Sequence, residues 1–227
     1  MTIPVVRLRW TPCWRVIPSR FPPIQLFERV TEPADLEAIL ELESLTNPRL
    51  RDEVGDIRLI PPEDRVSGPG ASIVMAAFTH PNPEGSRFSD GSYGVFYAAN
   101  DSDTAITESK HHRERFMRAT AQPRMELDMR VHVVDLDGDV HDLRGRKPDC
   151  PLVYDEDNYA GGQHLARTLR KDGSNGIAYD SLRREGGECV AVFRPPLLSN
   201  GRQERHLCYL WDGQRIATVY EKRALEQ

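Results

Sequence analysis

Three side chains with complementary chemistry lie close together in GSRFSDGSYGVFYAANDSDTAITES, residues 85–109. Arg87 sits among Gly85, Ser86, Ser89 and Gly91, small residues that let a ligand approach the backbone. Its guanidinium is a planar fork of donors matched to a phosphate or pyrophosphate. Tyr97 offers an aromatic face to a base and a hydroxyl to a sugar. Glu108 falls early in a predicted helix, where the macrodipole favours an ionised carboxylate. One loop-strand-helix unit thus carries groups for phosphate, ring and ribose. The same residues also have plain structural uses: Arg87 can pair with a surface acid, Tyr97 can sit in the core and Glu108 can be a solvated helix residue.

The elements that must position them follow from local pattern. SYGVFYAA (92–99) reads as a strand, and NDSD (100–103) supplies N-caps for a helix running through TAITESKHHRERFMRA to a stop before Pro123. Upstream, Pro18, Pro22 and Pro23 forbid a long helix before Ile24. TEPADLEAILELESL (31–45) places Leu36, Ile39 and Leu40 at helical spacing. PPEDRVSGPGASIVMAAF (61–78) is a turn-rich loop leading into an apolar segment, Ile73 to Phe78, whose type the pattern leaves open. Downstream, MELDMRVHVVDLDGDVHDLR (125–144) alternates around Asp137-Gly138, which predicts a hairpin-like turn. GGQHLARTLRKDG (161–173) predicts a short helix ended by Gly173, and NGIAYDSLR (175–183), ECVAVFRP (188–195) and RHLCYLWDG (205–213) predict strands. The expected fold is α+β, a single domain over residues 1–227 with a mixed, largely antiparallel sheet. An N-terminal helical embellishment falls in a proline-rich insert at about 21–84.

Several function classes fall away. A net charge of -5 and a pI near 5.8 argue against direct nucleic-acid binding. No apolar run approaches the ~18 residues a membrane span needs, and MTIPVVRLRW lacks the apolar core of a secretory signal. No membrane association is expected, and a cytoplasmic location is. Cys13, Cys150, Cys189 and Cys208 form no C-x-x-C pair and are expected as reduced, mostly buried thiols. Asp135, Asp137 and Asp139 alternate as in a calcium loop, but Val140 and Arg146 stand where such a loop needs Gly and Glu. His111 and His112 are adjacent, so they point to different helix faces and read as solvated. Neither a G-x-G-x-x-G nor a P-loop occurs. No metal and no resident cofactor are expected, and any nucleotide must be held another way.

The order G-S-R-F-S-D-G (85–91), V-F-Y-A-A (95–99) and A-I-T-E (105–108), followed by Ser181 within GIAYDSLRREGGECVAVF, resembles the RES-domain proteins. These are toxins of bacterial toxin-antitoxin pairs, named for their Arg, Glu and Ser. The resemblance covers roughly residues 85–213, and C-W-R-V at 13–16 resembles the family's opening strand. The insert at 21–84 departs from compact members. The resemblance implies an ADP-ribosyltransferase-like fold, NAD as substrate and neutralisation by an Xre-type antitoxin. It also raises the expectation of a homodimer within a toxin-antitoxin complex.

On this resemblance, Glu108 stabilises the oxocarbenium character that develops when the nicotinamide-ribose bond breaks. Arg87 holds the pyrophosphate with help from Arg15, Tyr97 packs against nicotinamide or its ribose, and Ser181 contributes a positioning hydroxyl. The acceptor stays open among water, inorganic phosphate as co-substrate, and a protein side chain. Ile106 stands where many protein-modifying transferases carry Gln or Glu, which ranks transfer third. A phosphate acceptor requires a second anion site, for which Arg15, Arg20 and Arg183 are the basic candidates. A non-catalytic nucleotide-binding or interaction module is the alternative from a different class.

Overall fold

The computed structural model describes residues 2–19, 27–28 and 55–223. The helix expected over 31–45, and Arg20, lie outside the described residues. Among those described, seven strands form one sheet: β1 (Val5–Pro18), β2 (Phe96–Ala99), β3 (Met125–Asp142), β4 (Gly176–Asp180), β5 (Glu188–Val192), β6 (Leu198–Trp211) and β7 (Ile216–Lys222). Their order is β1-β2-β5-β4-β3-β6-β7, and β1 also pairs with β3. Pairing is antiparallel except between β3 and β4. The mixed α+β, largely antiparallel architecture is therefore as the sequence predicted. Because β1 bonds to both β2 and β3, strands β1, β2, β5, β4 and β3 close into a ring, from which β6 and β7 extend.

The hairpin expected at Asp137-Gly138 is absent. β3 runs through both residues, with Asp137 opposite Arg9 and Gly138 opposite Leu8. A hairpin needs its two arms to pair with each other, and here each arm has another partner: β6 along Met125 to Leu136, and β4 at His141 and Asp142. Asp137 accepts from both Arg7 and Arg9 on β1. Glycine at 138 makes room for a crossing residue, since a Cβ there would lie 2.6 Å from Leu197 Cγ. β6 begins upstream of its predicted start, and β7 was not anticipated.

The open apolar segment is a helix, α1 (Ala71–Thr79), led by Gly70 at φ 80°. It lies on one face of the sheet, where Val74, Met75 and Phe78 pack with Phe96, Ala98, Val134, Ala178, Val190 and Val192. The opposite face carries α2 (Ser102–Ala119) and α3 (Ala160–Lys171). There Ala105 and Ala166 meet Ala99, Ile177, Tyr179, Cys189 and Ala191. Strict alternation along β2, β4 and β5 divides these two cores. A third cluster of Met117, Met129, Val131, Leu207, Tyr209, Trp211 and Ile216 seats the far end of α2 on β3, β6 and β7. Each such side chain contributes roughly 1.5–3 kcal/mol of transfer free energy.

Candidate functional site

The loop before β2 is shaped by its own small residues. Gly85 and Gly91 adopt φ 76° and φ 94°, and Ser86 bridges to Ser89. Tyr97 fastens this loop to the sheet: its hydroxyl accepts the Phe88 N–H at 2.9 Å and shares a proton with Ser86 Oγ at 2.8 Å. Tyr93 adds a bond from its hydroxyl to the Phe88 carbonyl at 2.8 Å. Burial raises the Tyr97 phenol well above its ordinary range, against the two hydrogen bonds. Tyr97 is thus a neutral phenol whose hydroxyl is spent on loop geometry, with its ring packed against the α2–α3 side of the sheet. From α3, Gln163 Nε2 donates to the Ser86 and Ser89 carbonyls. A Cβ on Gly162 would lie 2.4 Å from the Arg87 carbonyl oxygen, so only glycine lets the helix approach this closely.

Glu108 projects from α2, whose N-cap Asp101 accepts the Thr104 N–H at 2.9 Å. Ser181, just past β4, donates to Glu108 Oε1 at 2.5 Å. The direction of that bond is fixed, because Ser181 Oγ also accepts the Arg183 and Arg184 N–H groups, at 3.1 and 3.0 Å. Arg184 latches the same turn onto the start of α2, reaching Asp101 at 2.8 Å and Thr104 at 2.9 Å. Among the described residues Glu108 Oε2 takes no hydrogen bond. Ser181 is 2% exposed.

Arg87 is held from the far side. Its Nη1 donates to the Val153 and Asp155 carbonyls at 2.8 and 2.7 Å, and its guanidinium lies 4.8 Å from the Tyr159 ring centre. Nε and Nη2 keep no protein acceptor among the described residues, leaving one edge of the fork for a ligand. One short segment links Arg87 to the Glu108–Ser181 pair: Arg87 holds its Val153 and Asp155 carbonyls, and Arg183, two residues after Ser181, pairs with its Glu156 at 2.6 Å. His112 is exposed and His111 half-buried, in keeping with the solvated reading of the pair, and nearby cations such as Arg183 and Arg87 disfavour the charged His112 imidazole.

Arg87, Tyr97, Glu108 and Ser181 are thus brought together, whereas Arg15 is not. Trp14 and Val16 face the α2 and α3 side, so Arg15 between them faces the α1 side with Cys13. There its guanidinium lies over the Phe96 ring at 4.8 Å and donates to the Tyr97 carbonyl at 3.0 Å. Burial lowers it to about 10. Side-chain alternation along a strand, not local charge, decides this placement. All four cysteines are free and buried.

Sequence reasoning missed Glu156, Tyr159, Arg115 and Arg184. Arg183 Nη1 pairs with Glu156 at 2.6 Å, and Arg115 lies 5.5 Å from the Tyr159 ring centre. The Gly161-Gly162 pair was the available signal, since adjacent glycines at a helix start mark close backbone approach. A cleft of about 280 Å³, lined by Tyr93, Arg170, Asp64 and Arg194 among others, contains none of the four clustered residues. Its wall is an Arg170–Tyr93 stack at 3.5 Å and an Asp64–Arg194 ion pair at 2.5 Å, both satisfied within the protein.

Comparison with known proteins gives a family. The chain is 34% identical over 208 residues to the uncharacterized protein y4oC of Sinorhizobium fredii, across 91% of this chain and 86% of that protein. Among solved structures it is similar to a chain in the crystal structure of the M. tuberculosis MbcT-MbcA toxin-antitoxin complex. That likeness has 10% identity and a TM-score of 0.47, over 89% of this chain and 85% of the other. Residues 62–212 match the RES domain, a span that takes in α1, Arg87, Tyr97, Glu108 and Ser181, and the chain belongs to the RES domain family.

Proposed function

We propose that the chain is an NAD-degrading toxin of a bacterial toxin-antitoxin pair, cleaving the nicotinamide-ribose bond with phosphate or water as acceptor. The observation that carries this reading is the Glu108 carboxylate, oriented by Ser181 through Oε1 with Oε2 open, and tied through Arg183 and the 153–156 segment to Arg87, whose Nε–Nη2 edge is open. NAD as the substrate is what the resemblance to RES-domain toxins implies, and membership of that family supports it.

In the proposed reaction the bond between the ribose anomeric carbon and the nicotinamide nitrogen breaks, and its electron pair leaves with nicotinamide. Positive charge develops on the ribose, and Glu108 stabilises it from a position set before the reaction begins. Arg87 binds the pyrophosphate through its Nε–Nη2 edge, and the Tyr97 ring packs against nicotinamide or its ribose. Water then gives ADP-ribose and a proton, whereas inorganic phosphate gives ADP-ribose phosphorylated at the anomeric carbon. Protein ADP-ribosylation ranks lower, because Ile106 packs with the Met117, Tyr209 and Trp211 cluster and offers an acceptor no polar group. An Xre-type antitoxin that covers the pocket mouth is the expected partner, on the family reading alone.

The test is to incubate purified protein with NAD, with and without inorganic phosphate, and to identify products by mass spectrometry. Loss of NAD that rises with phosphate and yields the phosphorylated product selects the phosphorylase, and free ADP-ribose alone selects the glycohydrolase. Glu108→Gln should abolish turnover while leaving the fold intact. An unreactive wild-type protein would instead favour a non-catalytic nucleotide-binding module.

A further inference from the structure

Residues 153–159 form a strap held between Arg87 and Arg183. Arg87 fixes its start through the Val153 and Asp155 carbonyls. Arg183 grips its middle twice, from Nη1 to the Glu156 carboxylate at 2.6 Å and from Nη2 to the Glu156 carbonyl at 3.0 Å. Tyr159 closes the segment beneath the Arg87 and Arg115 guanidinium groups. Arginines from three separate parts of the chain therefore converge on one short acidic segment. The two sides of the ion pair differ sharply: the Arg183 side chain is 12% exposed and that of Glu156 is 62% exposed. The guanidinium is largely screened from solvent, while the carboxylate sits on the solvent side and can leave. The Arg183 backbone N–H bonds Ser181 Oγ, the same oxygen that holds Glu108, so this arginine springs from the turn that orients the candidate carboxylate.

We propose that the Glu156 carboxylate occupies a phosphate-binding position on Arg183, and that the strap releases it when a phosphate group of the substrate or co-substrate binds. Carboxylate and phosphate oxygens satisfy the same guanidinium fork, so the exchange conserves the pairing and loses little beyond loop order. The strap would then have two jobs. Its carbonyls hold Arg87 in position, and its glutamate keeps Arg183 charge-compensated while the site is empty. The proposal rests on the reading of this pocket as an NAD site only for the identity of the anion.

The experiment is a calorimetric titration of inorganic phosphate and, separately, of inorganic pyrophosphate into the wild-type chain, Glu156→Gln, Asp157→Asn, Arg183→Gln and the double variant Glu156→Gln/Arg183→Gln. Removing the competing carboxylate should tighten binding of at least one probe by about twofold to fivefold, the worth of a partly exposed ion pair. The gain should vanish in the double variant, and Asp157→Asn, which removes a strap charge that does not touch Arg183, should show none. A gain for phosphate alone assigns the position to a free phosphate, and a gain for pyrophosphate alone assigns it to the dinucleotide. Affinities indifferent to Glu156→Gln, or an equal gain from Asp157→Asn, would overturn the proposal. If Arg183→Gln fails to fold, the comparison of Glu156→Gln with Asp157→Asn decides by itself. Parallel NAD assays separate the two ideas: NAD consumption with anion affinities indifferent to Glu156 removes the strap and keeps the function. A Glu156-dependent anion gain without NAD consumption does the reverse.

Discussion

At the scale of single residues, the candidate chemistry depends on one oriented hydrogen bond. Ser181 accepts two backbone N–H groups and therefore has its proton to give to Glu108. Ser181→Ala removes the donor and leaves the two N–H groups of the turn without their acceptor. A hydrogen bond to a charged group is worth about 1.5–3 kcal/mol, so a drop in kcat of roughly ten- to a hundredfold is expected. Cysteine at the same position retains a donor, though a weaker one, and should recover part of the loss. Steady-state NAD kinetics of the two variants make the comparison, and an unchanged kcat in Ser181→Ala would mean that Glu108 does not need this partner. Tyr97 illustrates the other side of the same scale, since its hydroxyl is engaged by Ser86 and the Phe88 N–H and shapes the loop.

At the scale of elements, two contacts make separable predictions. α3 touches the Arg87 loop through Gly162, where a Cβ would collide with the Arg87 carbonyl oxygen at 2.4 Å. Gly162→Ala must push the helix or the loop away, so a loss of about 1–3 kcal/mol in urea unfolding is expected, with a raised KM for NAD. Wild-type stability together with wild-type KM would show that the loop yields freely. On the opposite face, β3 carries His132, which is 4% exposed and lowered from 6.5 to about 4 by burial first and then by Arg15 and Arg130. Its folded value lies below its unfolded one, so the unfolded chain binds more protons between those two pH values. Stability is therefore full above pH 6.5 and is lost as pH falls toward 4, by about 2 to 3 kcal/mol for this group at pH 4.5. Unfolding free energies at pH 7.5 and 4.5 should differ by that much less in His132→Gln than in the wild type. Equal acid slopes would place the titration elsewhere.

At the scale of the whole molecule, the ring of β1, β2, β5, β4 and β3 is the rigid frame, and the β6–β7 extension is its open side. β3 has neighbours along both edges, whereas among the described residues β7 pairs only with β6 and its outer backbone groups find no strand partner. Hydrogen exchange should therefore resolve two classes. Amides of β3, β4 and β5 should exchange only with global unfolding, and those of β7 at a lower free energy, with little change when the site is mutated. Uniform protection through β7 would mean that the extension unfolds only with the ring. No helix among the described residues is long and apolar enough to cross a membrane.

Much of this was legible from local pattern because it depends on local forces. The capping aspartate, the glycine turns around Arg87 and the alternation along β2, β4 and β5 act within a few residues, and the sequence alone determined them. The order of Arg87, Tyr97, Glu108 and Ser181 also determined the family. Tertiary structure decided what local pattern does not encode. Asp137-Gly138 lies in an unbroken strand because β1, β4 and β6 each offered β3 a better partner than its own other half. Arg15 left the site because one step of strand alternation sends its side chain through the sheet. Glu156 pairs with Arg183, far from it along the chain, because that guanidinium is screened from solvent and needs a counter-charge. A side chain's type and neighbours in sequence fix what chemistry it can perform, but the partner that satisfies its charge is chosen by distance in space.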